Sequence, residues 1–153
     1  MYALRILPLA LLLLAGCSTA PRAPSAGDSP SREGWVPSLE ARVNDYAGIL
    51  TSDERTALEA SLATYERETT HQVVVLTVLS LHGEAIEAFS LRVANTWGLG
   101  QKEWDSGILV TVAPMEQQVR IELGVGMNRF VSDADAQQII DETMVPAFRS
   151  GHF

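Results

Sequence analysis

A short acidic loop and a glycine-rich segment hold the residues of this sequence best suited to chemistry. Asp105, Ser106 and Gly107 directly precede an apolar run, and Gly124 and Gly126 follow an alternating segment further along the chain. The group that could act here is the carboxylate of Asp105, whose oxygen atoms can serve as ligands. From the residues alone, Asp-Ser-Gly is more typical of a turn, in which Asp accepts hydrogen bonds from nearby backbone amides.

Several other kinds of active site are excluded by the sequence. It contains no nucleophile elbow, P-loop, dinucleotide glycine fingerprint or zinc-protease helix motif. His71, His82 and His152 are scattered, and the first two are best interpreted as surface histidines. Cys17 is the only cysteine, so disulfides are excluded. The formal net charge of −8, without Lys or Arg clusters, argues against nucleic acid as a partner.

A predicted hairpin brings the two loops together. Gly107–Ala113 is apolar enough to be a strand buried on both faces, Pro114–Gln117 has the residues of a turn, and Gln118–Leu123 alternates as a strand does. The start of the first strand and the end of the second lie at one edge of a hairpin. We therefore expect the Asp105 loop and the glycines after Leu123 to converge there.

The preceding residues predict a helix, a strand and a second helix. Thr51 and Glu54 form a capping box for a helix that extends to about Glu68. Residues 72–78 are a short, uninterrupted run that is rich in β-branched side chains, as in a central strand. Residues 84–96 repeat apolar side chains at helical spacing. A strand, a helix and a strand in succession predict that residues 72–78 run parallel to the first hairpin strand.

The end of the sequence completes the predicted fold. Ser132 is suited to cap a last helix, which Pro146 should terminate. The predicted fold is α/β: a three-layer sandwich in which a small mixed sheet, a βαβ unit plus an antiparallel hairpin strand, has helices on both faces.

Five motifs in order resemble the TPM domain family, which includes thylakoid acid phosphatase-like proteins and bacterial envelope proteins. The resemblance covers about residues 41–153. Its motifs are Val43-Asn44-Asp45-Tyr46-Ala47-Gly48-Ile49-Leu50, Trp97-Gly98-Leu99-Gly100, Asp105-Ser106-Gly107-Ile108-Leu109, Arg120-Ile121-Glu122-Leu123-Gly124-Val125-Gly126 and Val145-Pro146-Ala147-Phe148-Arg149.

The resemblance favours a site for a hard cation, Ca²⁺ or Mg²⁺, at the Asp105 edge. Asp105 would supply a carboxylate and residues 124–126 would supply carbonyls. Glu122 has two interpretations, a metal ligand or an ion-pair partner of Arg120. Asp45 also has two: it is a turn former, or it joins Asp105, which requires residues 45–50 to run back along the sheet.

The first part of the chain has the sequence pattern of a targeting signal followed by a tether. Residues 1–16 have the short apolar run of a signal peptide, and Leu14-Ala15-Gly16-Cys17 resembles a bacterial lipobox, which implies lipidation of Cys17. Residues 17–40 are rich in Pro, Ser, Ala and Gly, which predicts a flexible tether. Trp35 and Val36, near its end, either pack on the domain or make no contact with it. By resemblance, Ser18 indicates the outer membrane, with the domain facing the periplasm.

The sequence is compatible with two functions. The first is an interaction or assembly module, anchored to a membrane by lipid, that binds a cation and an envelope protein partner. The second is a weak metal-dependent acid phosphatase, which lacks an obvious histidine acid or arginine clamp. Family members usually continue beyond a motif like Phe148-Arg149, so either the domain lacks its last helix or the sequence is a fragment.

Overall fold

One mixed sheet of four strands organises the domain in the computed structural model, which describes residues 34–100 and 105–151. The strands lie side by side in sequence order; the first three are parallel and the fourth is antiparallel to the third. The predicted parallel pair and the predicted hairpin are both confirmed. The strands are β1 (Val43–Asp45), β2 (Gln72–Thr77), β3 (Gly107–Ala113) and β4 (Gln118–Leu123).

Helices cover both faces of this sheet, which confirms the predicted α/β sandwich. Helix α2 (Ile86–Trp97) packs on one face. Helix α1 (Ser52–Thr69), a 3₁₀ turn over Val125–Arg129 and the C-terminal helices cover the other. The capping box of Thr51 and Glu54 is present at the start of α1, because each residue accepts a hydrogen bond from the other's backbone N–H. The helices are α1 (Ser52–Thr69), α2 (Ile86–Trp97), α3 (Asp133–Ile139) and α4 (Val145–Arg149).

Strand β3 lies in the middle of the core. Leu109 and Ala113 are fully buried and face α2, where they contact a cluster that includes Leu76 and Phe89. Thr111 lies between them on the same face, and its hydroxyl oxygen accepts a hydrogen bond of 2.9 Å from the Ser90 hydroxyl of α2. A buried polar pair of this kind costs little because each hydroxyl has its partner.

The C-terminal helix differs from the prediction at Pro146. The helix does not stop there: a π-helical turn over Ile140–Met144 leads into α4, and Pro146 occupies its first turn. Proline lacks an N–H and clashes with the carbonyl four residues earlier in a regular helix. The wider turn before Pro146 shifts the hydrogen-bonding pattern, as the bond from Val145 N to Ile140 O shows, so the chain continues helically.

The end of the predicted tether packs on the domain. Trp35 and Val36 pack against the α2 core, and Arg92 Nη1 donates a 2.9 Å hydrogen bond to the Trp35 carbonyl oxygen. Trp97 Nε1 donates one of 2.8 Å to Pro37 O. The packed chain therefore begins before the predicted boundary at residue 41.

The predictions for the signal peptide, for Cys17 and for the tether before residue 34 concern residues outside those that the structure describes. Among the described residues, no helix combines the length and the apolar composition that crossing a membrane requires.

Replacing Leu109 by alanine should destabilise the domain by about 2–5 kcal/mol, because it leaves a cavity where the side chain is fully buried. Met115→Ala is the matched control, since Met115 is 67% exposed in the hairpin turn and should change stability by about 0.5 kcal/mol or less. Urea unfolding measures both. Equal effects of the two substitutions would contradict the central position of β3.

Candidate functional site

The hydrogen-bond ladder between β3 and β4 continues past the ends of both strands. Gly124 N donates to Gly107 O at 2.8 Å, and Gly126 N donates to Asp105 O at 3.1 Å. Ser106 lies between these two pairs and is buried. The Asp105 loop and the glycine-rich exit of the hairpin therefore meet at one edge of the sheet, as the sequence predicts.

Asp105 has an unusual backbone conformation that directs its carboxylate at the glycine-rich exit. Its φ angle is +45°, in the left-handed region that Asp tolerates better than most side chains. Its Oδ2 accepts a hydrogen bond of 3.2 Å from Val125 N. A Cβ added at Gly124 would collide with the Asp105 carbonyl oxygen and lie 3.1 Å from Oδ1. Only glycine at 124 lets the two segments come this close.

Leu99 and Gly100, which follow α2, approach the same edge from the other side. Gly100 N donates a 2.7 Å hydrogen bond to Gln72 Oε1, and Gln72 N donates one of 3.2 Å to Ser106 O. A Cβ at Gly107 would lie 2.6 Å from the Leu99 carbonyl carbon. These contacts fix the backbone on both sides of Ser106, and so they hold Asp105 in position.

Asp105 and Glu122 line one small cavity of about 120 Å³ between this edge and α2. The Glu122 side chain is 16% exposed, and its Oε2 accepts a 3.1 Å hydrogen bond from Arg120 Nε. Glu122 thus pairs with Arg120 and also borders the cavity, and its role as a metal ligand stays a prediction. The remaining lining is apolar or amide in character: Leu91, Ala94, Asn95, Leu99, Gly107, Leu109, Leu123, Gly124 and Val125.

Sequence reasoning missed the contribution of α2 to this cavity. Leu91, Ala94 and Asn95 are spaced three and four residues apart, so they share one side of the helix. That spacing is visible in the sequence. It indicates a shared side, but the residues do not reveal that this side overhangs the end of β4.

Asp45 lies at the opposite end of the strands from Asp105. It pairs with Thr77 at the end of β2, whereas the Asp105 loop lies beside Gln72 at the start of that strand. Its carboxylate accepts hydrogen bonds from Ile49 N at 3.2 Å, from Leu50 N at 3.0 Å and from the Thr77 hydroxyl. Five residue steps along a strand span about 17 Å. One cation therefore cannot bind both Asp45 and Asp105, and Asp45 has the contacts of a turn former.

The oxygen atoms at the Asp105 edge are of the type that a hard cation binds. Two carboxylates and the backbone of Gly124 border one cavity, and such oxygen atoms are the ligands of Ca²⁺ and Mg²⁺. No group of three or more His, Cys, Asp or Glu side chains is placed to hold a metal within the parts of the chain that the structure describes. A cation here would complete its coordination with backbone carbonyls and water.

Comparisons with known proteins agree with this fold. The family model described as "TPM domain" matches residues 43–153, so the chain belongs to the TPM domain family. A solution NMR structure of the N-terminal domain of a P. gingivalis protein is 29% identical, with a TM-score of 0.68, and covers 72% of this chain and 70% of that chain.

A second solution NMR structure shows the same fold. The N-terminal domain of a Corynebacterium glutamicum protein is 19% identical, with a TM-score of 0.58, and the match covers 76% of each chain. None of the curated proteins matches the chain significantly.

Proposed function

We propose that this TPM domain binds a divalent cation, Ca²⁺ or Mg²⁺, at the Asp105 edge and acts as an interaction module of the bacterial cell envelope. The observation that supports it is the cavity shared by Asp105 and Glu122 at the junction of the two loops. A divalent cation between the two carboxylates would neutralise the negative charge that they bring to the cavity. Binding would then further stabilise the two segments that meet at this edge.

Each residue of the site has a separate part in this proposal. Asp105 supplies the carboxylate that reaches the cavity from the loop, and Glu122 supplies a second from the strand. Glycine at 107 and 124 keeps the backbone close enough for carbonyl oxygens to join. Arg120 balances part of the charge of Glu122 when no cation is present.

The alternative function is a weak metal-dependent acid phosphatase. A bound cation would polarise the phosphate group in that reaction. Among the described residues that line the cavity, none is Arg, Lys or His. Within this described lining a phosphate monoester would find neither a basic side chain to bind it nor a histidine acid to protonate the leaving group, and this supports the interaction module.

The envelope location is proposed from the sequence pattern at the start of the chain. A lipid on Cys17 would hold the domain at the outer membrane on its periplasmic side, with residues 18–33 as the spacer before the packed segment at Trp35. An extended spacer of this length would reach at most about 50 Å. A domain held so close to the bilayer suits a partner among envelope proteins.

Adding Ca²⁺ or Mg²⁺ should raise the thermal midpoint of residues 34–153. At ten times the dissociation constant the gain is about 1.4 kcal/mol, or roughly 5 °C for a domain of this size. Asp105→Asn keeps the shape, removes the charge and should abolish most of the increase. Differential scanning fluorimetry with each chloride salt measures it.

Asp45→Asn is the control for that substitution, because Asp45 lies at the other edge of the sheet. It should lower the midpoint without cation by weakening three hydrogen bonds to its carboxylate. It should keep the cation-dependent increase in full. A native midpoint that is indifferent to millimolar Ca²⁺ and Mg²⁺ would overturn the cation site and the metal-dependent phosphatase together.

Hydrolysis of p-nitrophenyl phosphate separates the two functions when the cation does bind. The interaction module predicts background rates for the native domain and for Asp105→Asn alike. Hydrolysis that requires both the cation and Asp105 would establish the phosphatase instead.

Cys17→Ser should release the chain from membranes or leave it unprocessed, because serine has no thiol for the lipid. Fractionation of cells that express the full chain, with Ser18→Ala as the matched control, measures this. The lipid anchor is wrong if the Cys17 variant still fractionates with membranes as a processed, lipid-bearing protein.

A further inference from the structure

Strand β4 is the outermost strand of the sheet beside β3. Its free side has a row of backbone groups that point away from the sheet. The bond from Gly124 N to Gly107 O sets the phase of the ladder, so Gln118, Arg120 and Glu122 direct their backbone groups to β3. The N–H and C=O of Val119, Ile121 and Leu123 therefore point away from the sheet. No backbone hydrogen bond from these three residues to another strand occurs in the described residues.

The side chains of β4 are self-complementary about Ile121. Arg120 and Glu122 flank it with opposite charges on the face of α2, and Val119 and Leu123 flank it with apolar side chains on the other face. All five residues are only partly buried. Two such strands placed antiparallel about Ile121 would meet each charge with its opposite.

We propose that a second copy of this chain docks on β4, with the two strands antiparallel and centred on Ile121. This register pairs Ile121 with Ile121 of the second copy, and Val119 with its Leu123. Those are the residues whose backbone groups point outward, so the hydrogen bonds form without any change in β4. Arg120 then lies opposite Glu122 of the second copy in the closer, non-hydrogen-bonded pairs, twice by symmetry.

Other registers and directions are disfavoured by the same charges. Sliding one strand by two residues places Arg120 opposite Arg120 or Glu122 opposite Glu122, and a parallel arrangement in register does both. Like charges directly opposite each other destabilise a strand pair. Charged residues on an edge strand often prevent pairing. Here their opposite signs disfavour these neighbouring arrangements and favour the one about Ile121.

This inference goes beyond the proposed function and does not rest on cation binding. It names one partner for the interaction module, a second copy of the same chain, joined through a continuous sheet of eight strands. Its experiment changes Arg120 and Glu122. Because the proposed cation site also includes Glu122, the decisive result is rescue in a mixture in which one copy still carries Glu122→Arg.

Charge reversal tests the pairing with full-length chains. Two copies with different affinity tags are co-expressed, extracted in detergent and purified through one tag, and the yield of the other tag is measured. Arg120→Glu gives four acidic side chains where two copies meet, and Glu122→Arg gives four basic ones. Each variant should co-purify with itself about tenfold less than the native chain does.

The decisive sample combines the two variants. Arg120→Glu in one copy faces Glu122→Arg in the other with opposite charges at both positions, so co-purification should return to the native level. The ion pair within each chain stays broken in both variants, so only a contact between copies explains the rescue. Circular dichroism of each variant shows that it is folded. Native copies that do not co-purify, or folded variants whose combination gives no rescue, would overturn the proposal.

Discussion

The hydrogen-bond ladder between β3 and β4 is the constraint on which the rest of the structure depends. It begins in the hairpin, extends through both strands and ends beyond them at Asp105 and Gly126. The same ladder therefore sets the position of the core strand, the position of the acidic loop and the direction of the free backbone groups on β4. A slip of one residue between the two strands would place Ile121 or Leu123 opposite Leu109, so that Leu109 and Glu122 could no longer both face α2.

This arrangement joins stability and site chemistry in one element. Leu109 is fully buried against α2, and its neighbour across the ladder, Glu122, lies on the same face and borders the cavity. The packing of α2 on β3 thus also forms a wall of the site. The negative charge at this edge is tolerable because Arg120 pairs with Glu122 and because the amide of Val125 donates to Asp105.

The sequence predicts the strands well because their signals are local. Gly107–Ala113 and Gln118–Leu123 have the predicted bounds, since an apolar run, a turn and an alternating segment leave little freedom. The meeting of the two loops follows from the hairpin alone. The helix at Pro146 was predicted to stop because proline normally breaks a helix, and a π-turn is not visible in residue types.

The remainder of the site could not be predicted because it depends on packing between distant elements. Whether Asp45 reaches Asp105 depends on the path of residues 45–50. The structure shows that they form a turn held by the Asp45 carboxylate itself. The contribution of Leu91 and Asn95 depends on how far α2 extends over β4. The sequence identifies the loops of the site, and tertiary packing decides which side chains surround them.

Backbone NMR during a Ca²⁺ titration tests the central claim, cation binding at the Asp105 edge, most directly. In isotope-labelled residues 34–153, the amide signals of Val125 and Gly126 should move with the cation, because both N–H groups bond to Asp105. The signals of Ile49 and Leu50, which bond to Asp45 at the far edge, should stay in place. Shifts confined to Ile49 and Leu50, or no shifts at millimolar Ca²⁺, would contradict the account.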